Sequence, residues 1–258
     1  MNVLALHGFL GDRDDWNAFQ ARANYRLSQL EFDRADLPGH GVAPAPVPAD
    51  FDGWVAWVRA RLAARTGPVH LVGYSLGGRL ALAAAAAERG SGRVASLAAF
   101  AASPGLADPA ERSARLAADR RLADTLERDG LAEFLRGWYA QALFAPAVET
   151  VGRERLIARR SLGEAASLAA ALRTASQGAM PDLRSRLASL DVPALVLAGD
   201  RDHRYLGIGA ETAVVVPRGR FVAVSDAGHS LLLEAPERCA DLWCVFLEST
   251  VQPKGPST

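Results

Sequence analysis

Lysine is all but missing from this chain. Among 29 lysine and arginine residues the only lysine is Lys254, near the C-terminal end, so positive charge is carried by arginine. Arginine presents a planar fork of donors that fits a carboxylate, where lysine offers a point charge. Excess charge of either sign is also lacking, since 29 acidic residues balance the 29 basic ones. Nucleic-acid and membrane-surface partners call for a basic field, which a net charge of zero does not supply, so neither is expected. Cysteine is scarce: Cys239 and Cys244 share one apolar, helix-like segment, and their spacing fits neither a disulfide nor a metal clip. Both read as core thiols. No apolar run of about 18 residues occurs, so no membrane-spanning helix is expected. The opening "MNVLALHGF" has neither the charged segment nor the long apolar stretch of a signal peptide, which leads to an expected cytoplasmic location. The closing "VQPKGPST" is polar and rich in proline, and reads as a flexible tail.

What is present is a chain of 258 residues, half of them hydrophobic, long enough for one sizeable core with an inserted subdomain. Short apolar runs at 2–6 ("NVLAL"), 69–73 ("VHLVG"), 94–102 ("VASLAAFAA") and 194–199 ("ALVLAG") have the character of buried parallel strands. Weaker ones lie near "EFDRADL" and at 220–224 ("RFVAV"). Helical patterns around 15–29, 52–65, 77–89 and 231–249 alternate with them, which predicts an α/β fold with a mostly parallel central sheet flanked by helices. The alternation breaks at 108–190, where Ala, Leu, Arg and Glu recur at helical spacing, punctuated by Gly130, Pro146, Gly163 and Pro181. The expected organisation is therefore a core of 1–107 and 191–250, a helical lid of 108–190 over the carboxyl edge of the sheet, and a flexible tail of 251–258.

Chemistry concentrates at "HLVGYSLGG". Gly73-Tyr74-Ser75-Leu76-Gly77 is a G-x-S-x-G match that follows an apolar strand and opens an alanine-rich helix. A tight turn must hold the serine in a strained conformation, and glycine on either side removes the collisions that side chains would make. The helix beginning there also points free N–H groups and a positive dipole end toward the serine oxygen. The loop after an early strand ending in "LHGF" brings a second amide, so Phe9 and Leu76 are the expected oxyanion-hole donors. His229, in "SDAGHSLLLEAPE" after the last strand, is the expected base, while His7 is assigned a structural, turn-stabilising role. His40, His70 and His203 fit less well, being placed in a turn, in a strand and after the acid loop. Of the two acids in "GDRD", Asp202 is preferred, because one at the strand end is too retracted; Asp200 is read as a loop or capping residue. Arg79 stands at i+4 from Ser75 and so shares its helix face. A buried arginine beside a catalytic centre is costly without an anion, which points to a small carboxylate-bearing substrate. The same triad serves attack on an ester or carbon-carbon bond as well as removal of a proton, so the reaction stays open on these residues alone. No metal cluster, phosphate loop or nicotinamide fingerprint is visible, and no cofactor is expected.

These motifs make the chain resemble the α/β-hydrolase superfamily. A narrower set, "LHGFLGDRDDW", "DLPGHG", "VGYSLGGRLAL", "SPGL", "ERSARLAADRRLADTL", "FLRGWYAQALF", "ARRSLG" and "PDLRSRL", is similar to the 2-succinyl-6-hydroxy-2,4-cyclohexadiene-1-carboxylate synthases, over residues 3 to 240. The resemblance implies an α/β-hydrolase fold with a helical lid, and a lyase that eliminates pyruvate in menaquinone biosynthesis. It implies a Ser75, Asp202 and His229 triad used for proton abstraction. It further implies substrate carboxylates held by Arg79, Arg115 and Arg160, and a pocket lined by Tyr74 and Trp138. Oligomeric state is left open.

Overall fold

The computed structural model describes residues 1–42 and 44–251. Six strands occur among them: β1 (Asn2–Leu6), β2 (Glu31–Ala35), β3 (Val69–Tyr74), β4 (Val94–Phe100), β5 (Ala194–Gly199) and β6 (Gly219–Val224). They form one sheet in the order β2-β1-β3-β4-β5-β6, and every pairing is parallel. Parallel pairing sets all the carboxyl ends on one edge, where Gly73 lies beside Leu6 and Gly199 beside Val224.

Successive side chains leave a strand on opposite faces, so a sheet covered on both sides needs continuous apolar runs. Leu4 and Leu6 of β1 and Leu97 and Ala99 of β4 enter one buried cluster, while Val3, Ala5, Ala98 and Phe100 enter the other. The first face is closed by α2 (Phe51–Ala63) and α3 (Leu76–Ala87), the second by α1 (Asn17–Arg26) and α11 (Pro236–Val251). Cys239 and Cys244 are unbridged and buried in the second cluster.

Between β4 and β5 the described chain contains helices and turns and no strand. It runs through α4 (Pro109–Trp138), α5 (Ala145–Val151), α6 (Arg153–Arg160), α7 (Ala165–Thr174) and α8 (Arg184–Leu187). Phe134, Leu135, Tyr139, Phe144, Leu156 and Leu168 give this insertion its own apolar core, into which Leu10 of the β1 loop also packs. Asp108 caps α4 by accepting from the amides of Ala110 and Glu111. Gly130, at φ 80°, bends the helix midway.

Several elements differ from expectation for local reasons. The strand expected over 94–102 ends at Phe100, because Ala101 turns to φ 46°. The helix expected over 231–249 is divided into α10 (Leu231–Glu234) and α11, since Pro236 has no N–H to donate and holds Ala235 at φ −147°. That over 15–29 starts as a 3-10 turn at Arg13–Trp16 and stops at Arg26. An unanticipated helix, α9 (His203–Val215), joins β5 to β6. The tail expected at 251–258 lies outside the described residues, apart from Val251 at the end of α11.

Candidate active site

The turn between β3 and α3 holds Ser75 at φ 51°, ψ −108°, a left-handed conformation that non-glycine residues rarely adopt. Its neighbours leave no room for alternatives. A Cβ on Gly73 would sit 2.2 Å from the carbonyl oxygen of Gly77, and one on Gly77 would sit 2.2 Å from that of Leu6. Backbone contacts of this kind cannot relax by a rotamer change, so the glycines are required by the packing of α3 against β1 and β3.

Ser75 Oγ lies 3.2 Å from Nε2 of His229. On the other side of the ring, Nδ1 donates to Oδ2 of Asp202 at 2.8 Å, which fixes the tautomer and leaves the Nε2 lone pair facing the serine. Asp202 and His229 are buried. Asp202 also caps α9, its Oδ1 accepting from the amide of Tyr205 at 3.2 Å, so capping falls to Asp202 rather than to Asp200. Asp200 Oδ1 is buried with no partner among the described residues. The loop carrying His229 is pinned by Glu234, whose carboxylate accepts from the amides of Gly228 and Ser230. Burial pushes the Glu234 carboxyl up despite those two bonds.

Neither the amide of Phe9 nor that of Leu76 has a hydrogen-bond partner among the described residues, whereas the adjacent Gly77 amide donates to His7 O and the Ser75 amide to Phe100 O. Both residues line the cavity that holds Ser75, so their amides are candidate donors for an oxyanion. The other histidines have structural partners. His7 accepts from the Leu37 amide and donates to Gly8 O; His40 bonds Pro38 O; His70 bonds Ser96 Oγ. His203 is exposed at the start of α9.

The triad opens into a cavity of about 650 Å³ whose lining includes every residue expected to bind substrate: Tyr74, Arg79, Arg115, Trp138 and Arg160, with Phe9 and Leu76. Their environments differ. Among the described residues no carboxylate pairs with Arg79. Its Nη1 donates to Ala175 O at 2.8 Å, and burial, followed by the charge of Arg115, pulls its pKa down to about 10. Arg115 is half-buried and bonds Asp119 through Nε at 2.9 Å. Arg160 is buried rather than facing solvent. It pairs with Asp15 at 2.8 Å, and its Nη1 has no hydrogen-bond partner among the described residues. Trp138 stacks on Phe134 and meets Phe9 and Phe144 edgewise or tilted, at ring distances of 5.3 to 5.6 Å. Tyr74 is half-buried with its ring 5.8 Å from that of His229, and desolvation keeps its hydroxyl protonated.

Asp15, Asp119, Gln177, Phe144 and Tyr205 also line this cavity and were not anticipated. The i,i+4 pair of Arg115 and Asp119 was visible as a charge pattern. For Asp15, whose partner Arg160 lies 145 residues on, no local signal existed. Among the described residues no group of three or more His, Cys, Asp and Glu side chains has the arrangement of a metal site.

A sequence model described as the Alpha/beta hydrolase family matches residues 3–242. The 2-succinyl-6-hydroxy-2,4-cyclohexadiene-1-carboxylate synthase of Pectobacterium atrosepticum is 34% identical over 257 residues, covering 97% of this chain and 95% of the relative. The protein of that name from Klebsiella pneumoniae is 38% identical over 216 residues, covering 82% and 81%. Among solved structures, MenH from S. aureus superposes with a TM-score of 0.85 at 26% identity, over 98% of this chain and 95% of that one. A malate-bound thermophilic esterase from Thermogutta terrifontis gives 0.78 at 25% identity, over 98% and 91%.

Proposed function

Because the chain belongs to the α/β-hydrolase family and, within it, to the 2-succinyl-6-hydroxy-2,4-cyclohexadiene-1-carboxylate synthases, we infer that it is the pyruvate-eliminating lyase of menaquinone biosynthesis. It converts 2-succinyl-5-enolpyruvyl-6-hydroxy-3-cyclohexene-1-carboxylate to the 2,4-cyclohexadiene. The product's double bonds define the step: the proton on ring carbon 2 leaves, the carbon 3 double bond shifts, and the bond from carbon 5 to the enolpyruvyl oxygen breaks. Pyruvate departs as its enol, which takes up a proton at carbon.

In our proposal Ser75 Oγ removes the ring proton while passing its own to Nε2 of His229, and Asp202 stabilises the imidazolium that results. Negative charge grows on the succinyl carbonyl oxygen as that proton leaves, within reach of the Phe9 and Leu76 amides. The imidazolium then supplies the proton that the leaving oxygen needs. Arg79, Arg115 and Arg160 hold the substrate's carboxylates, and Tyr74 and Trp138 wall the ring. The helices between β4 and β5 act as the lid.

The observation that carries this reading is Arg79, a half-buried guanidinium that lines the cavity one turn from Ser75 and has no carboxylate of its own among the described residues. A substrate carboxylate supplies the missing charge; a neutral ester does not. A small anionic substrate, no nucleic acid and no membrane partner complete the proposal, and a biosynthetic step of this kind favours the cytoplasm. None of the described helices is long and apolar enough to cross a membrane.

Purified protein should release pyruvate and generate the diene chromophore faster than the spontaneous reaction. Ser75→Ala should lose about 10²- to 10⁴-fold in turnover, the range for a positioned acid-base group. Arg79→Ala should raise KM by about tenfold or more, as expected when a charged hydrogen bond is removed. Wild-type rates in Ser75→Ala would refute the assignment.

A further inference from the structure

Asp119 takes no part in the chemistry above, yet it is buried beside the cavity and carries three hydrogen bonds. Both its oxygens lie 2.9 Å from Nε of Arg115, and Oδ2 also accepts from Ser176 Oγ at 2.7 Å. Ser176 Oγ in turn accepts from the amide of Gly178 at 3.0 Å. The residues on either side of Ser176 reach the arginines directly. Ala175 O accepts from Nη1 of Arg79, and Gln177 Oε1 accepts from Nη1 of Arg115 at 3.2 Å. Gln177 Nε2 then donates to Ser103 Oγ at 2.9 Å, just past the end of β4.

Three successive residues of one turn, Ala175 to Gln177, thus hold Arg79, Asp119 and Arg115 respectively. The turn itself has little freedom. A Cβ on Gly178 would sit 2.4 Å from Arg112 O and 2.5 Å from Leu116 N, so the turn lies hard against α4 one helical turn from Asp119. Asp119, Ser176 and Gln177 are each at most 2% exposed, and their polar groups are satisfied within this network.

We propose that Asp119, acting through the turn at Ser176 and Gln177, is the positioning residue of the anion site: it fixes the planes of Arg115 and Arg79 so that both guanidiniums meet one carboxylate-bearing ligand. Two positive groups close enough to depress the pKa of Arg79 would otherwise separate. Asp119 holds one directly and sets the carbonyl that holds the other. A guanidinium fixed in advance loses less freedom on binding, and Nε and one Nη1 contact of Arg115 are used for positioning while its other donors remain for a ligand.

The role has a discriminating sign. If Asp119 acted only as a counter-charge, Asp119→Asn would unmask Arg115 and tighten anion binding. As a positioning residue, its replacement loosens both arginines and weakens binding. The substrate rests on the lyase reading, so succinate titrated calorimetrically into the full chain serves as an activity-independent probe beside the pyruvate assay. The expected result for Asp119→Asn is a KM and a succinate Kd each raised about tenfold or more, kcat within about threefold of wild type, and an unmoved pH profile. Unchanged or tighter succinate binding would overturn the proposal, as would a fall in kcat and thermal stability at constant KM. If Asp119→Asn does not fold, Ser176→Ala and Gln177→Leu must shift the succinate Kd in the same direction; no shift in either overturns it. Absence of pyruvate from wild type alongside intact succinate binding would refute the lyase reading and leave this inference standing.

Discussion

At the scale of single residues the site divides into groups that the sequence exposes and groups that only the fold brings in. Ser75 and His229 stand in local motifs with a distinctive neighbourhood, and both meet at 3.2 Å. Asp202 was separable from Asp200 by its place beyond the strand end. The geometry gives Asp202 two partners, His229 and the Tyr205 amide, and leaves Asp200 Oδ1 without one among the described residues. Asp202→Asn is therefore expected to lower turnover by about 10²- to 10⁴-fold through loss of the tautomer and the imidazolium's partner, with Asp200→Asn near wild type. Pyruvate-release rates of the two variants side by side check this; the reverse ranking would reassign the acid. Arg160 illustrates what one-dimensional reading misses. Amid arginines and glutamates at helical spacing it looks like a solvated face, yet it is buried because Asp15, at the far end of the chain, neutralises it.

Among the elements, strands were the most legible, because burial on both faces demands uninterrupted Val, Leu and Ala runs that little else produces. Helix α9 carries a weak signal in the sequence. Its sequence "HRYLGIGAETAVV" carries two glycines and several β-branched residues, both poor helix formers, and it is held by packing against β5 and β6. The division at Pro236 was readable in principle, since proline cannot continue the hydrogen-bond ladder of the preceding turn. Its consequence for the site was not, because the break is what turns Glu234 back toward the His229 loop. The entry to the helical insertion depends on one cap. Asp108 satisfies two amides at the start of α4, the helix that supplies Arg115, Asp119 and Trp138. Asp108→Ala should cost about 1 kcal/mol of stability, read by thermal or denaturant unfolding. Its effect on KM should exceed that on kcat, since the helix carries binding groups and no member of the triad.

For the molecule as a whole, burial of neutral imidazoles sets the response to acid. His40 and His70 are desolvated, and their pKa values fall from 6.5 to about 3 and about 4; burial lowers His7 as well. Below about 6.5 an unfolded chain protonates these rings and the folded chain does not, so the unfolded state binds more protons and folding weakens as pH falls. Each ring contributes a loss of about 1.4 kcal/mol per pH unit until its folded value is reached. Asp36, which bonds Arg13, and Glu88, between Arg59 and Arg93, have lowered values and add in the same direction, their contribution being present above the unfolded pKa and lost as pH falls through the folded one. The melting temperature should therefore decline steadily from pH 7 to pH 4, approximately the window between the unfolded imidazole value and the folded His70 value. A melting temperature flat across that window would show that the histidines ionise in the folded state.

The central claim is that a hydrolase-like triad here acts as a base on a carbon-bound proton, in a site whose half-buried, carboxylate-free arginine selects an anion. The most direct measurement is a single-turnover comparison of substrate carrying hydrogen or deuterium at ring carbon 2, following pyruvate and the diene together. Proton abstraction by Ser75 predicts that deuterium slows both signals equally and by several-fold in the wild-type protein. Equal rates for the two substrates, or pyruvate formed ahead of the diene, would contradict it.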